Sequence, residues 1–202
     1  MIMEFILSVI VAYLIGSLNT SILYSKLTGS EDIRKKGSGN AGMTNMLRNN
    51  GKKSAAIVFL GDALKGILAV VIVRLYTDNI AWMCAAAFFV VIGHIYPVFF
   101  GFKGGKGVAT AVCSAAALPH GWICGIILIG IFLPLVYFTK IVSLSVLIST
   151  ATYPIWAYIF TDGNTTNFIY AFIITATLFF THRANIVRLI QGKENKFGGK
   201  KQ

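Results

Sequence analysis

Two segments of the chain combine glycines with amide, hydroxyl and basic side chains at spacings suited to holding anions. The first is Gly37-Ser38-Gly39-Asn40-Ala41-Gly42-Met43-Thr44-Asn45-Met46-Leu47-Arg48. Three glycines in six residues let the backbone turn with positive φ and approach a ligand closely. Successive backbone N–H groups in such a turn form an anion-binding nest. Ser38, Asn40, Thr44 and Asn45 add uncharged donors, and Arg48 adds a planar fork matched to phosphate. The plainer reading is a flexible polar loop that uses Gly and Asn for its turns. The second segment is Gly101-Phe102-Lys103-Gly104-Gly105-Lys106-Gly107-Val108-Ala109-Thr110, preceded by Gly93-His94-Ile95-Tyr96-Pro97. It is not a Walker A loop, because Lys106 is followed by Gly107 where that pattern needs Ser or Thr. A glycine-rich turn entering a helix N-terminus still suits an anion, through N–H groups and the helix dipole, and Lys103 and Lys106 add charge. The plainer reading is a basic interfacial turn. Two glycine-basic segments on one face favour phosphate.

Other polar residues fall at the same level. His94 lies near the cytoplasmic end of the block Ile80–Phe100, and His182 opens the tail as His182-Arg183-Ala184-Asn185. Lys140 precedes Ser143-Leu144-Ser145, and Ser17, Asn19 and Thr20 close the first apolar block. A lone membrane histidine is often only an interhelical donor, and His120 is expected to be a loop residue on the opposite face. Asp62 and Lys65 lie inside an apolar block, three residues apart and so on one helix face. Ionisable groups there face the bundle interior and pair, either structurally or as a contact to substrate. Cys84, Cys113 and Cys124 match no metal spacing and read as core residues.

The elements that must position these residues are apolar. Of 202 residues, 56% are hydrophobic and only 12% charged, against roughly 25% charged in soluble proteins; the mean hydropathy is +0.73. Long apolar blocks run over Ile2–Tyr24, Ser54–Tyr76, Ile80–Phe100, Gly121–Phe138, Val142–Phe160 and Phe168–Phe180, with a shorter one at Gly107–Leu118. They predict transmembrane helices. The first block lacks a basic n-region and is too long for a signal peptide. The net charge of +11 sits between the blocks, which excludes a soluble nucleic-acid binder and fits cytoplasmic loops, with attraction to anionic lipid in addition. Arg34, Lys35, Lys36, Arg48, Lys52 and Lys53 form one basic set, Lys103 and Lys106 the next, and Lys140 a third. The tail holds Arg183, Arg188, Lys193, Lys196, Lys200 and Lys201. The connections in between contain no Lys or Arg. This alternation predicts an all-α membrane protein with seven crossings, N-terminus outside and C-terminus cytoplasmic, the short block Gly107–Leu118 crossing as the fourth. One polytopic domain over 1–202 is expected.

Taken together, GSLNTSILYSKL, GSGNAGMTNMLR, GDALKG, GHIYPVFFGFKGGKGVAT, KIVSLS and HRANIVRLIQGKENKFG resemble the acyl-phosphate-dependent bacterial glycerol-3-phosphate acyltransferases. The resemblance covers essentially the whole chain. It implies transfer of a fatty acyl group from acyl phosphate to the 1-hydroxyl of glycerol 3-phosphate, giving lysophosphatidic acid and inorganic phosphate in the first step of phospholipid synthesis. It implies a bacterial inner-membrane enzyme whose site faces the cytoplasm, with membrane lipid as a neighbour and no nucleic-acid partner. Carried over residue by residue, Ser38, Arg48, His182 and Asn185 are the expected catalytic residues. Gly39, Asn40, Thr44, Asn45, His94, Lys103, Gly104, Gly105, Lys106, Lys140 and Ser143 are expected to bind substrate phosphate. Ala41 stands where the family commonly has Pro, Lys140 where Arg is common, and Ala184 where Glu is common.

Acyl phosphate is a mixed anhydride and needs no protein nucleophile. No cofactor or metal is expected, and no carboxylate cluster offers a metal a site. The attacking hydroxyl must lose a proton, to His182 or to a substrate phosphate. The histidine-four-residues-aspartate signature of other acyltransferases is missing: Phe99, Gly125 and Val187 stand five positions after His94, His120 and His182. Three rivals fit less well. A carrier would place its site near the midplane, often with repeats. A lipid scaffold would not need these motifs. The CDP-alcohol phosphotransferases need several aspartates in one motif.

Overall fold

Lipid leaves no water to satisfy backbone groups, so apolar blocks of this length fold as helices. A computed structural model describes residues 2–197; Lys200 and Lys201 of the basic tail lie outside them. The described residues form helices α1 (Ile2–Ser17), α2 (Thr20–Leu27), α3 (Met43–Arg74), α4 (Ile80–Ile95), α5 (Val108–Ala116), α6 (Gly121–Thr139), α7 (Val142–Ala151), α8 (Tyr153–Phe160), α9 (Thr165–Thr181) and α10 (Arg183–Ile190), with no strand among them. Four segments are long and apolar enough to cross a membrane: Met43–Arg74, Ile80–Phe100, Gly121–Thr139 and Val142–Phe160. Helices α1 and α2 make a fifth if the bent pair is one span. Helix α9 is a shorter apolar helix, and α5 has only nine residues.

The first apolar block does not continue as one helix to Tyr24. It breaks at Leu18-Asn19 and bends by 44°. Asn19 caps the new helix by accepting the Ile22 N–H at 3.2 Å, which satisfies one of the orphan donors of a helix start. Helix α3 begins upstream of the expected Ser54, at Met43, and is interrupted at Gly51, whose φ of 88° is not helical. A helical piece carrying Thr44, Asn45 and Arg48 thus precedes the apolar part.

The chain forms two compact units, Met1–Leu118 and Pro119–Gln202. In the first, α1 packs on α4 through glycine. A Cβ on Gly16 would collide with the Val90 carbonyl, and one on Gly93 with that of Tyr13. Such backbone approach is how membrane helices associate when burial from water provides no force. Helix α3 packs on α4 and α5. In the second unit α7 packs on α6 and α9, α8 on α6 and α9, and α10 on α7 and α9.

Candidate functional site

In the first unit the Gly-Ser-Gly-Asn loop is held by Asn45, at the start of α3. Asn45 is 1% exposed. Its Oδ1 accepts the Ser38 N–H at 3.1 Å. Its two Nδ2 hydrogens are shared among the carbonyls of Ile33, Lys36 and Asn40, at 3.0–3.1 Å. Asn49 Nδ2 donates in turn to Asn45 Oδ1 at 2.9 Å. The glycines fit around this amide: Gly37 and Gly39 have φ of 57° and 71°, and a Cβ on Gly37 would collide with Asn45 Oδ1. Asn45 therefore faces into the loop and shapes it. Ser38 and Arg48 lie exposed, with Asn40 and Thr44 half-buried. Thr44 and Arg48 are four apart on one helical face.

The glycine-lysine loop folds back onto the end of α4. The N–H of Gly104 donates to Ile95 O at 3.0 Å, and that of Gly105 to His94 O at 3.1 Å. A Cβ on Gly104 would strike the His94 carbonyl, and one on Gly105 the His94 ring at Nε2. These two glycines permit close backbone approach, and their N–H groups are taken up by α4. The donors that an anion could use are those of the first turn of α5, which have no partner within the helix. Lys103 is exposed and Lys106 half-buried.

Two contacts bind the loops to one another, and sequence reading missed the residue that makes them. Arg34 donates through Nη1 to the carbonyls of Phe100 at 2.8 Å and Lys103 at 3.1 Å. Its other face meets Asp32, with Nη2 2.7 Å from Oδ2. The only sequence signal was the Asp-Ile-Arg spacing before the glycines. The Arg34 guanidinium holds the Asp32 carboxyl below its usual range. A depressed folded pKa means that the pair's contribution is full above the ordinary 3.8 and is lost as pH falls through the lower folded value. Arg34→Ala removes charged hydrogen bonds of about 1.5–3 kcal/mol each. Amide exchange in both loops then accelerates by about tenfold or more. Unchanged exchange would show that the loops hold without it.

Beneath both loops lies a buried charge cluster. Lys65 Nζ is 3.0 Å from Asp62 Oδ1 and 2.8 Å from His94 Nδ1. Asp62, Lys65 and His94 are 2%, 5% and 3% exposed. The Asp62–Lys65 pair expected from spacing forms, and His94 joins it.

The second unit carries its own cluster. His182 closes α9 and is 3% exposed, with Nδ1 2.7 Å from the Leu178 carbonyl. Asn185 Nδ2 donates to Glu194 Oε1 at 2.8 Å, and Arg188 Nε to Glu194 Oε2 at 2.8 Å. Glu194, not singled out in the sequence, fastens the tail to α10. Lys140 has φ of 57° and caps α6. Its ammonium lies 4.5 Å from the Tyr137 ring centroid, and its carbonyl accepts the Phe197 N–H. Ser145 Oγ donates to Ile141 O on its own helix at 2.9 Å. Ser143 Oγ is buried without a partner among the described residues.

This arrangement has close relatives. A family model described as glycerol-3-phosphate acyltransferase matches residues 6–192. The glycerol-3-phosphate acyltransferase of Neisseria meningitidis serogroup C (strain 053442) is 42% identical over 199 residues, covering 95% of this chain and 96% of the relative. That of Clostridioides difficile (strain 630) is 39% identical over 206 residues, covering 100% and 99%. The crystal structure of PlsY (YgiH), an integral membrane glycerol 3-phosphate acyltransferase, in its glycerol 3-phosphate form superposes with a TM-score of 0.89 at 35% identity, covering 96% of each chain. Its lysophosphatidic acid form gives 0.88 at 34%. With a family match spanning nearly its whole length and helices of membrane-crossing length, the chain is an integral membrane protein belonging to the glycerol-3-phosphate acyltransferase family.

Proposed function

We propose that the chain transfers a fatty acyl group from acyl phosphate to the 1-hydroxyl of glycerol 3-phosphate, releasing lysophosphatidic acid and inorganic phosphate. The observation that carries this reading is the pair of glycine-basic loops in one unit, tied together by Arg34. Two loops suit two anionic heads, those of acyl phosphate and glycerol 3-phosphate. The solved relative's glycerol 3-phosphate and lysophosphatidic acid forms support the same acceptor and product here.

The hydroxyl oxygen attacks the acyl carbon, the bond from that carbon to the phosphate oxygen breaks, and phosphate leaves with the bonding pair. Held in near-attack geometry, an activated anhydride needs no protein nucleophile. Charge grows on the leaving phosphate, where preorganised donors stabilise it. Ser38, Asn40, Thr44, Arg48, Lys103, Lys106 and the first turn of α5 are the donors of this proposal in the first unit, while Gly39, whose N–H donates to the Lys36 carbonyl at 3.0 Å, shapes its loop. Asn45, Gly104 and Gly105 shape the loops that present them. In the second unit Lys140 and Ser143 are assigned to phosphate and His182 with Asn185 to the proton.

The same reading takes the whole chain as one working domain, in line with a family match that runs across both units. It gives the chain seven crossings, with α5 as the short fourth and α9 as the last. The N-terminus is outside, and the loops and tail face the cytoplasm of a bacterial inner membrane. The alternation of basic and uncharged connections supports it.

Purified protein in lipid, with palmitoyl phosphate and labelled glycerol 3-phosphate, tests the reaction. Lysophosphatidic acid and phosphate are expected in equal amounts, with turnover lost in Arg48→Ala. Turnover only with acyl-CoA or acyl carrier protein would keep the reaction class and reject the donor.

A further inference from the structure

Lys65 lies inside the helix bundle of the first unit, where an unpaired ammonium would be strongly disfavoured. Its three N–H bonds meet three acceptors: Asp62 Oδ1 at 3.0 Å, the Leu18 carbonyl at 3.2 Å and His94 Nδ1 at 2.8 Å. The Leu18 carbonyl is available because the chain breaks between α1 and α2. Asp62 is fixed in turn by Thr20 Oγ1, which donates to Oδ1 at 3.1 Å, and its own carbonyl accepts from Thr110 Oγ1 at 3.1 Å. Asp62 Oδ1 also lies 3.4 Å from His94 Nδ1, but the Lys65 ammonium is the nearer group and has no lone pair to accept with, so it donates to Nδ1 and leaves the imidazole proton on Nε2. The His94 ring is therefore held in one tautomer and one orientation.

The Nε2 edge of that ring meets the glycine-lysine loop. A Cβ on Gly105 would collide with Nε2 and lie 2.6 Å from the Ala41 carbonyl oxygen of the first glycine loop. Asn19 Nδ2, at the α1–α2 break, donates to that same Ala41 carbonyl at 3.5 Å. The His94 backbone carbonyl accepts the Gly105 N–H. Gly105 thus lies between the His94 ring and the Ala41 carbonyl of the first loop, and the ring's orientation is set from below by Lys65.

We propose that Lys65 and His94 are positioning residues for acyl transfer: Lys65 locks the His94 ring in its Nε2–H form, and the ring sets the spacing between the Ala41 carbonyl and Gly105. This rests on the reading that the two loops hold phosphate. A buried ion pair that serves stability alone can be exchanged for neutral groups with little loss. A pair that orients an imidazole cannot, because apolar replacements at both positions leave Nδ1 without its donor.

The test is the double variant Asp62→Leu with Lys65→Met, which removes both charges and leaves no donor within reach of Nδ1 from either position, assayed in lipid with palmitoyl phosphate and glycerol 3-phosphate. Its thermal melting stays close to that of the parent, while kcat/KM falls by about 10²-fold. A double variant that melts normally and keeps kcat/KM within about threefold of the parent overturns the proposal. If the double variant does not fold, His94→Gln and His94→Asn decide. Gln carries an amide N–H toward the Nε2 position, and Asn reaches only Nδ1. His94→Gln is expected to retain about ten times the kcat/KM of His94→Asn, and equal losses overturn the proposal. Lys106→Ala separates phosphate binding by the loop from the positioning role beneath it. If it leaves KM for both substrates unchanged, the loop does not hold phosphate and the proposal falls with that reading. If KM for one substrate rises, the loop holds phosphate, and a normal Lys65 or His94 variant then overturns the positioning role alone.

Discussion

His182→Gln slows acyl transfer by about 10²–10⁴-fold while the protein still inserts and folds. The expectation comes from the ring's orientation. His182 Nδ1 lies 2.7 Å from the Leu178 carbonyl. A carbonyl can only accept, so Nδ1 carries the proton and Nε2 holds the lone pair. That is the tautomer a general base requires. The same residue caps α9 through its backbone N–H, which donates to Leu178 O at 3.1 Å, a bond that glutamine keeps. Glutamine can also donate a hydrogen bond but has no basic nitrogen. The loss therefore falls on kcat, with KM for glycerol 3-phosphate changing little, and initial rates at saturating palmitoyl phosphate measure it. Near-normal turnover would remove His182 from proton transfer and leave a phosphate oxygen of the substrate as the acceptor.

Much of this was legible from residue types and spacing. The apolar blocks appear as helices because lipid permits little else. The i,i+3 spacing of Asp62 and Lys65 puts them within 3.0 Å of one another. Contacts that join distant stretches were not legible. Arg34 reaches carbonyls 66 and 69 positions away, and His94 completes the Asp62–Lys65 pair from another helix. The break at Leu18-Asn19 left a trace, an Asn ahead of Thr-Ser-Ile in an otherwise apolar run. That is a helix-start signal, masked by hydrophobic residues on both sides. The role of each glycine was hidden as well. Flexibility for anion binding and small size for backbone approach look identical in sequence, and at Gly104 and Gly105 the second operates, since their N–H groups bond to α4. Asn45 posed the same problem: an amide in a glycine loop can face the ligand or the loop, and only the fold decides.

That distinction makes Asn45 the most informative substitution in the first loop. Asn45→Ala removes the partner of the Ser38 N–H and of the carbonyls of Ile33, Lys36 and Asn40; the buried bond to Ile33 leaves a polar group costing about 1–3 kcal/mol, and the others, part-buried, turn to water. The loop then opens toward water, and kcat/KM falls by about 10²-fold or more as its donors lose their geometry. Asn45→Asp is no rescue. Its carboxylate still accepts from Ser38, but it turns an oxygen toward three carbonyl oxygens that had received a donor. A residue whose part is to bind phosphate rather than to hold the loop would behave otherwise. Arg48→Ala, at an exposed position, should abolish turnover while amide exchange across 36–42 stays slow. Asn45→Ala should lose turnover and exchange protection together. If Asn45→Ala keeps its protection and loses only affinity for a phosphate-bearing substrate, Asn45 is a ligand residue and the loop is held by something else.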